Sequence, residues 1–179
     1  MRVIAGRFRS RRLKSVSGLA VRPTPDRLRE ALFNVLAPRI EGSVFLDAYA
    51  GSGAVGIEAL SRGAKRVILI ERSARAIAVI RDNLRCLQID REAIIVQGRA
   101  ATLVKNYRAD IAFIDPPYDA TEEYEASLLG LSESKCPLVI AQHASRISLE
   151  NRYGELERTR VLKQGDNSLS FYGPPATNT

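Results

Sequence analysis

Four consecutive residues, Asp115-Pro116-Pro117-Tyr118, hold the most specific chemistry in this chain. They follow the apolar run 111–114, which has the length and composition of a buried strand, so the tetrapeptide is expected where that strand ends. In an open α/β sheet, ligands bind beyond the carboxyl ends of the strands. Pro116 and Pro117 donate no backbone N–H and hold an extended path, leaving the Asp115 carboxylate and the Pro116 carbonyl as fixed acceptors. Tyr118 adds a flat apolar face. Two acceptors beside an aromatic plate suit a planar ring bearing an NH2 group, stacked on the tyrosine and held through both amine hydrogens.

A second constellation lies earlier in the chain. Gly51-Ser52-Gly53-Ala54-Val55-Gly56 is a literal GxGxxG, and Glu71 follows Gly51 by twenty residues. The glycines let the backbone approach a ligand, and a carboxylate at the end of the next strand can accept both ribose hydroxyls. This pattern points to an adenosine-bearing cofactor without choosing one. Asp47, just before the glycines, suits an ammonium-bearing ligand such as S-adenosylmethionine better than the diphosphate of a nicotinamide cofactor.

The elements that must position these residues alternate. Short apolar strands are expected at 44–46, 67–70, 93–96, 111–114 and 137–141, separated by helical stretches beginning after Gly53, at Ala74, near Ala101 and after Tyr118. Two more strand-like runs, 156–162 and 168–172, flank Gly165-Asp166-Asn167, a hairpin turn signal. The expected fold is α/β: a Rossmann-like, doubly wound, seven-stranded, mostly parallel sheet closed by an antiparallel terminal hairpin. Ahead of it, runs 2–6 and 12–16 read as a β-hairpin. A helix follows, with Thr24 as N-cap, Pro25 in the first turn and Leu28, Leu32, Val35 and Leu36 on its apolar face, while Arg27, Arg29 and Glu30 face elsewhere. The division expected is 1–38 for the basic hairpin and helix extension, 39–173 for the cofactor-binding domain, and 174–179 for a flexible tail.

Composition narrows the setting. The 179 residues are 45% hydrophobic, enough to bury a core without disulfides or metal. Cys86 and Cys136 lie fifty residues apart without CxxC spacing, and His143 is the only histidine, too few soft ligands for a zinc site. No apolar h-region or 18-residue apolar run is present, so a soluble, cytoplasmic protein is expected. Charge is segregated: residues 1–30 carry nine Arg or Lys (Arg2, Arg7, Arg9, Arg11, Arg12, Lys14, Arg22, Arg27, Arg29) against Asp26 and Glu30, the whole net charge of +7. The other residues balance at 18 basic and 18 acidic. Such an Arg-rich patch is the footprint of a phosphate-backbone partner or, on charge alone, equally of a solvated arm.

Taken together, these residues carry a family resemblance. The stretch Asp47-Ala48-Tyr49-Ala50-Gly51-Ser52-Gly53 resembles motif I of the class I S-adenosylmethionine-dependent methyltransferases, and 115–118 resembles their (D/N)PP(Y/F) motif for amino groups. With the start Arg2-Val3-Ile4-Ala5-Gly6, the segment 22–34 and the closing Leu169-Ser170-Phe171-Tyr172, the chain is similar to the RsmD family over residues 1–172. The resemblance implies methyl transfer from S-adenosylmethionine to N2 of one guanine in small-subunit (16S) ribosomal RNA, by a monomer without metal. It implies Asp115, Pro116, Pro117 and Tyr118 around the base, Asp47, Ala50, Gly51 and Gly53 at the methionine part of the cofactor, Glu71 at the ribose, and Thr24 near the mouth of the site. Gly98 and Arg99 fall at the adenine, where relatives usually have Gly-Asp. Gln142 departs similarly from a common acid. Arg7, Arg9, Arg11, Arg12, Lys14, Arg22 and Arg29 are the expected RNA contacts. Two other readings share these residues: an adenine-N6 or glutamine-amide methyltransferase, and a non-catalytic RNA-binding ribosome assembly factor.

Overall fold

The computed structural model describes residues 1–16, 24–117 and 120–175. Strands β1 (Val44–Asp47), β2 (Arg66–Glu71), β3 (Ala93–Gln97), β4 (Ile111–Ile114) and β5 (Val139–Ala144) are parallel, and β6 (Arg152–Tyr153), β7 (Leu156–Gln164) and β8 (Asn167–Gly173) join antiparallel. The order across the sheet is β3-β2-β1-β4-β5-β8-β7-β6, so the direction of winding reverses between β1 and β4. That crevice is where a doubly wound sheet takes its ligand. Central strands such as β4 are buried at every position, as expected of parallel strands covered on both faces. The eighth strand exceeds the seven expected. It is the two-residue β6, paired with β7 at only two positions, too short to leave a periodic signal.

Helices α1 (Asp26–Ile40), α2 (Ala54–Ser61) and α3 (Ala74–Leu87) cover one face, burying Leu32, Ile57 and Ile80 with Phe45, Phe113 and Ile140. On the other face α4 (Ala100–Leu103), a 3-10 turn at Val104–Asn106 and α5 (Thr121–Glu133) bury Val104, Tyr124 and Leu128 against Leu46, Ala112 and Ile114. Val3 and Leu13 belong to the first cluster, so the N-terminal segment shares the core of the sheet. Among the described residues, no helix is long and apolar enough to cross a membrane.

Three local expectations are corrected. Thr24 does not cap α1: the helix starts at Asp26, and Pro25, extended at ψ 142°, is the flanking residue whose carbonyl accepts Arg29 N–H at 3.0 Å. Arg29 does not face solvent. It is fully buried, its Nη2 donating to the Arg2 carbonyl at 2.6 Å and to Asp26 Oδ1 at 3.0 Å, so it is a structural pin and not an RNA contact.

The N-terminal hairpin is reduced to one antiparallel bridge, Arg2 with Arg12. Side chains of the main domain do the rest of the pairing. Glu58, fully buried in α2, accepts the N–H of Ile4 at 2.8 Å, the N–H of Ala5 at 3.0 Å and Arg62 Nε at 2.7 Å. Ser61 Oγ donates to the Ala5 carbonyl at 2.6 Å and accepts Phe8 N–H at 2.9 Å. Approach is so close at Gly6 that an added Cβ would lie 1.9 Å from the Ser61 carbonyl oxygen, and its φ of 80° also requires glycine.

Removing the Glu58 carboxylate orphans two backbone N–H groups and the partly buried Arg62 Nε together. Glu58→Ala is expected to cost about 3 kcal/mol of stability in a denaturant titration and to open residues 1–16 to limited proteolysis. A variant with the wild-type midpoint and the same cleavage pattern would refute this account of the clamp.

Candidate active site

The carboxyl ends of β1, β2 and β4 bring Asp47, Glu71 and Asp115 to one edge of the sheet. Asp47 is the last residue of β1 and 1% exposed, with Oδ2 accepting Gly56 N–H at 3.0 Å from the first turn of α2. The closeness of α2 here depends on Gly56, whose added Cβ would stand 2.5 Å from a Leu69 methyl. Glu71 reaches back over the glycine turn. Its Oε2 accepts Gly51 N–H at 2.9 Å and its Oε1 accepts Ser73 N–H at 2.8 Å. Each oxygen keeps a lone pair for a ligand hydroxyl.

Gly51 and Gly53 have φ of 54° and 80°, and nothing lies within 4 Å of the position a Gly51 Cβ would occupy. The turn therefore opens onto free space. Ala50 N–H bonds the Ile70 carbonyl at 3.0 Å, and Gly98 N–H the Glu71 carbonyl at 3.1 Å, which holds the three loops at one level.

Asp115, one residue beyond β4, is half-buried, Pro116 is buried and Pro117 exposed. Withdrawal from water, with the charge of Asp47 adding to it, pushes the Asp115 carboxyl up to about 8. Burial likewise raises Asp47 to about 7, against the lowering effect of the Gly56 N–H, with Glu71 raising it further. The two carboxyls are a coupled pair whose protons belong to the site as a whole. Tyr118 lies outside the described residues.

Arg99 is tied to α5. Its guanidinium meets Glu123 Oε1 at 2.6 Å, while Glu123 Oε2 accepts the Tyr49 hydroxyl at 2.8 Å. Arg99, expected at the adenine, thus stands beside a carboxylate that comes from another element, Glu123. Sequence order gave no signal for it, because residues 99 and 123 come together only through the packing of α4 on α5.

His143 is buried on β5 beneath the rim. Its Nδ1 lies 3.0 Å from the Ala144 carbonyl and so carries the proton, leaving Nε2 to accept Ser170 Oγ–H at 2.8 Å. Burial lowers its pKa.

The basic segment runs the length of the domain. Arg7 pairs with Glu92 at 2.6 Å, and Glu92 immediately precedes β3, so the 6–11 turn sits at the end of the sheet away from Asp115. Arg11 Nη2 reaches the Cys86 carbonyl at 3.5 Å, and Lys14 pairs with Asp82 at 2.8 Å. Arg9 and Arg12 are exposed, and Arg22 is outside the described residues. Lys14 approaches the glycine turn through Asn83 of α3, a residue that sequence reasoning missed. Its Oδ1 accepts Lys14 N–H at 2.8 Å, and its Nδ2 donates to the carbonyls of Lys14 at 3.1 Å and Ser52 at 3.0 Å.

The strand order, the glycine turn after β1 and the acid after β4 define a Rossmann-like fold of the methyltransferase type. Residues 1–173 match the family described as Conserved hypothetical protein 95, and the chain belongs to that family, the RsmD-type methyltransferases. YlbH of Bacillus subtilis is 34% identical over 184 residues, covering 96% of this chain and 98% of YlbH. The ribosomal RNA small subunit methyltransferase D of Escherichia coli is 40% identical over 119 residues, 66% of this chain but 60% of that relative. The solved structure of yhhF from Escherichia coli superimposes with a TM-score of 0.84 at 32% identity, covering 99% of both chains.

The raised carboxyls make a pH prediction with a definite sign. In the unfolded chain both acids ionise near the ordinary 3.8, whereas the folded protein holds their protons to about 7 and 8. Stability therefore falls as pH rises through this window, by at most about 1.4 kcal/mol per pH unit per group. Asp115→Asn removes one titration, and its Tm should decline less than that of the wild type between pH 6 and 9. Parallel Tm curves would contradict the assignment.

Proposed function

We propose that the chain transfers a methyl group from S-adenosylmethionine to the exocyclic N2 amine of a guanine in small-subunit (16S) ribosomal RNA, in the cytoplasm. The observation that carries this reading is the Asp115 carboxyl, fixed at the end of β4 beside Pro116 and lifted to about 8 by burial and Asp47. The names of the Escherichia coli and Haemophilus influenzae relatives, ribosomal RNA small subunit methyltransferase D, support the RNA substrate. The matched region spans 60% and 64% of those two proteins.

The residues present suit the cofactor. The open space over Gly51, the Glu71 carboxylate beside it and the buried Asp47 below form a cradle of hydroxyl acceptors and negative charge, complementary to a cationic nucleoside. When bound there, S-adenosylmethionine supplies an electrophilic methyl on its sulfonium sulfur.

The chain's own task is the nucleophile. The N2 lone pair of guanine is spread into the ring, and the amine reacts only when that pair is localised. Asp115 and the Pro116 carbonyl accept the two amine hydrogens, draw the nitrogen toward tetrahedral geometry and leave its lone pair aimed away from both acceptors. As positive charge develops on the amine, Asp115 stabilises it and takes the released proton. A carboxyl with a pKa near 8 is a far better proton acceptor than an ordinary one near 4. Turning the base out of its stack costs roughly a few kcal/mol. The exposed Arg9 and Arg12, with Lys14 alongside the glycine turn, provide a basic track for the RNA backbone, read by shape and phosphate more than by sequence.

The test is transfer of labelled methyl to small ribosomal subunits lacking this modification, with the product base identified by digestion and mass spectrometry. Wild type should yield N2-methylguanosine, and Asp115→Ala should lower kcat by a factor of about a thousand while S-adenosylhomocysteine still binds. Label on adenine, or undiminished transfer by the variant, would overturn the proposal. The kcat/KM profile should also rise with pH and level off near 8, since the base must be ionised in the free enzyme; a profile flat from pH 6 to 9 would remove Asp115 from that role.

A further inference from the structure

We infer that Gln142 is a specificity-determining residue that reads the Watson–Crick edge of the guanine held at Asp115, an inference resting on the guanine-N2 reading above. Gln142 is 2% exposed, yet its Oε1 is buried without a hydrogen-bond partner. A buried amide oxygen left unpaired is costly, and beside a reactive carboxyl a bound ligand is one group that can complete it.

The register says where it points. Strands β4 and β5 pair Phe113 with Ile140 and Ile114 with Ala141, and continuing that register one residue past the end of β4 sets Asp115 opposite Gln142. Paired positions in neighbouring parallel strands share a face. Gln142 follows Ile140 on the face of α1 to α3 and is paired with Leu169 of β8, both members of that core cluster. The neighbouring residues alternate away: His143 points to the opposite face, edge-on to Tyr124 and bonded to Ser170. The Tyr124 hydroxyl also donates to Gln142's own backbone carbonyl at 2.8 Å, which fixes the strand position from behind.

Guanine offers three groups in a row along this edge: the N2 amine, the N1–H donor and the O6 acceptor. With N2 between Asp115 and the Pro116 carbonyl, N1–H needs an acceptor beside Asp115, and Gln142 Oε1 is the buried acceptor without a partner at that position. The same amide's Nε2 then donates to O6, giving a bidentate pair. Adenine presented through N6 brings a bare N1 acceptor to that oxygen, and the two lone pairs repel. Asp115 holds the reacting amine, and Gln142 sorts which base owns it.

The experiment compares wild type, Gln142→Leu and Gln142→Glu on reconstituted small subunits carrying either guanosine or 2-aminopurine riboside at the nucleotide mapped by the labelling assay. 2-Aminopurine keeps the N2 amine but lacks N1–H and O6. Wild type should favour guanosine by about tenfold to a hundredfold in kcat/KM. In Gln142→Leu that preference should collapse to less than about threefold. Gln142→Glu retains the N1–H acceptor but loses the donor to O6, so its preference should fall between those of wild type and Gln142→Leu. S-Adenosylhomocysteine affinity, measured by calorimetry, should be equal in all three proteins, and if Gln142→Leu fails to bind it, Gln142→Met takes its place. A Gln142→Leu enzyme that still prefers guanosine as wild type does, or a wild type without preference, overturns this inference while leaving guanine methylation standing. A wild type that binds S-adenosylhomocysteine but methylates no guanine overturns the underlying reading, and this inference with it.

Discussion

Two carboxyl groups confined at the ends of β1 and β4 are the constraint around which the rest of the site is arranged. Asp47 is buried directly under the glycine turn, held by Gly56 N–H, and Asp115 lies near enough for the two charges to oppose one another. Neither has an opposite charge bonded to it among the described hydrogen bonds and ion pairs. Such an arrangement tolerates one ionised carboxyl more readily than two, and welcomes a cation. The glycine at position 56 is part of the same constraint, since any side chain there would push α2 off Leu69 and lift its N–H from Asp47. The environment of Asp47 is thus built into how α2 sits on the sheet.

The basic segment depends on the same helix. Glu58 and Ser61, on the last two turns of α2, bind the backbone of residues 4–8, so the arm is ordered by side chains of the domain more than by its own strand pairing. Several of its cations are occupied locally: Arg29 internally, Arg7 by Glu92 and Lys14 by Asp82. The exposed pairs are worth little to stability. Arg29 is different, because its buried guanidinium has no solvent to return to.

Much of the architecture was legible in the sequence because it rests on local signals. The alternation of apolar runs with helical spacing, GxGxxG before α2 and the prolines after β4 each report their own backbone, and the strands and the site edge follow from them. What escaped depends on contacts distant in sequence. Arg29 reads as a surface cation on a helix whose apolar face is elsewhere, and only the approach of the Arg2 carbonyl explains its burial. Thr24 carries the right side chain for a cap, but the extended Pro25 shifts the helix start past it. The hairpin strands have suitable residue types, yet turns at Gly6 and Ser10, both with positive φ, leave room for a single bridge. Glu123 belongs to an acidic stretch that looks solvated, and its place opposite Arg99 is set by how α5 lies on α4.

Asn83 gives the protein a property that neither the arm nor the glycine turn has alone. One amide group spends its oxygen and both hydrogens on Lys14 and Ser52, so the two segments share a single fastening point inside α3. Evolution can therefore not treat the basic extension as an interchangeable module. Grafting a different segment onto this sheet would succeed only if the newcomer offered a backbone N–H and carbonyl in the same register as Lys14. Change in this extension would accordingly proceed by substitutions along it, with its path over α2 and α3 kept.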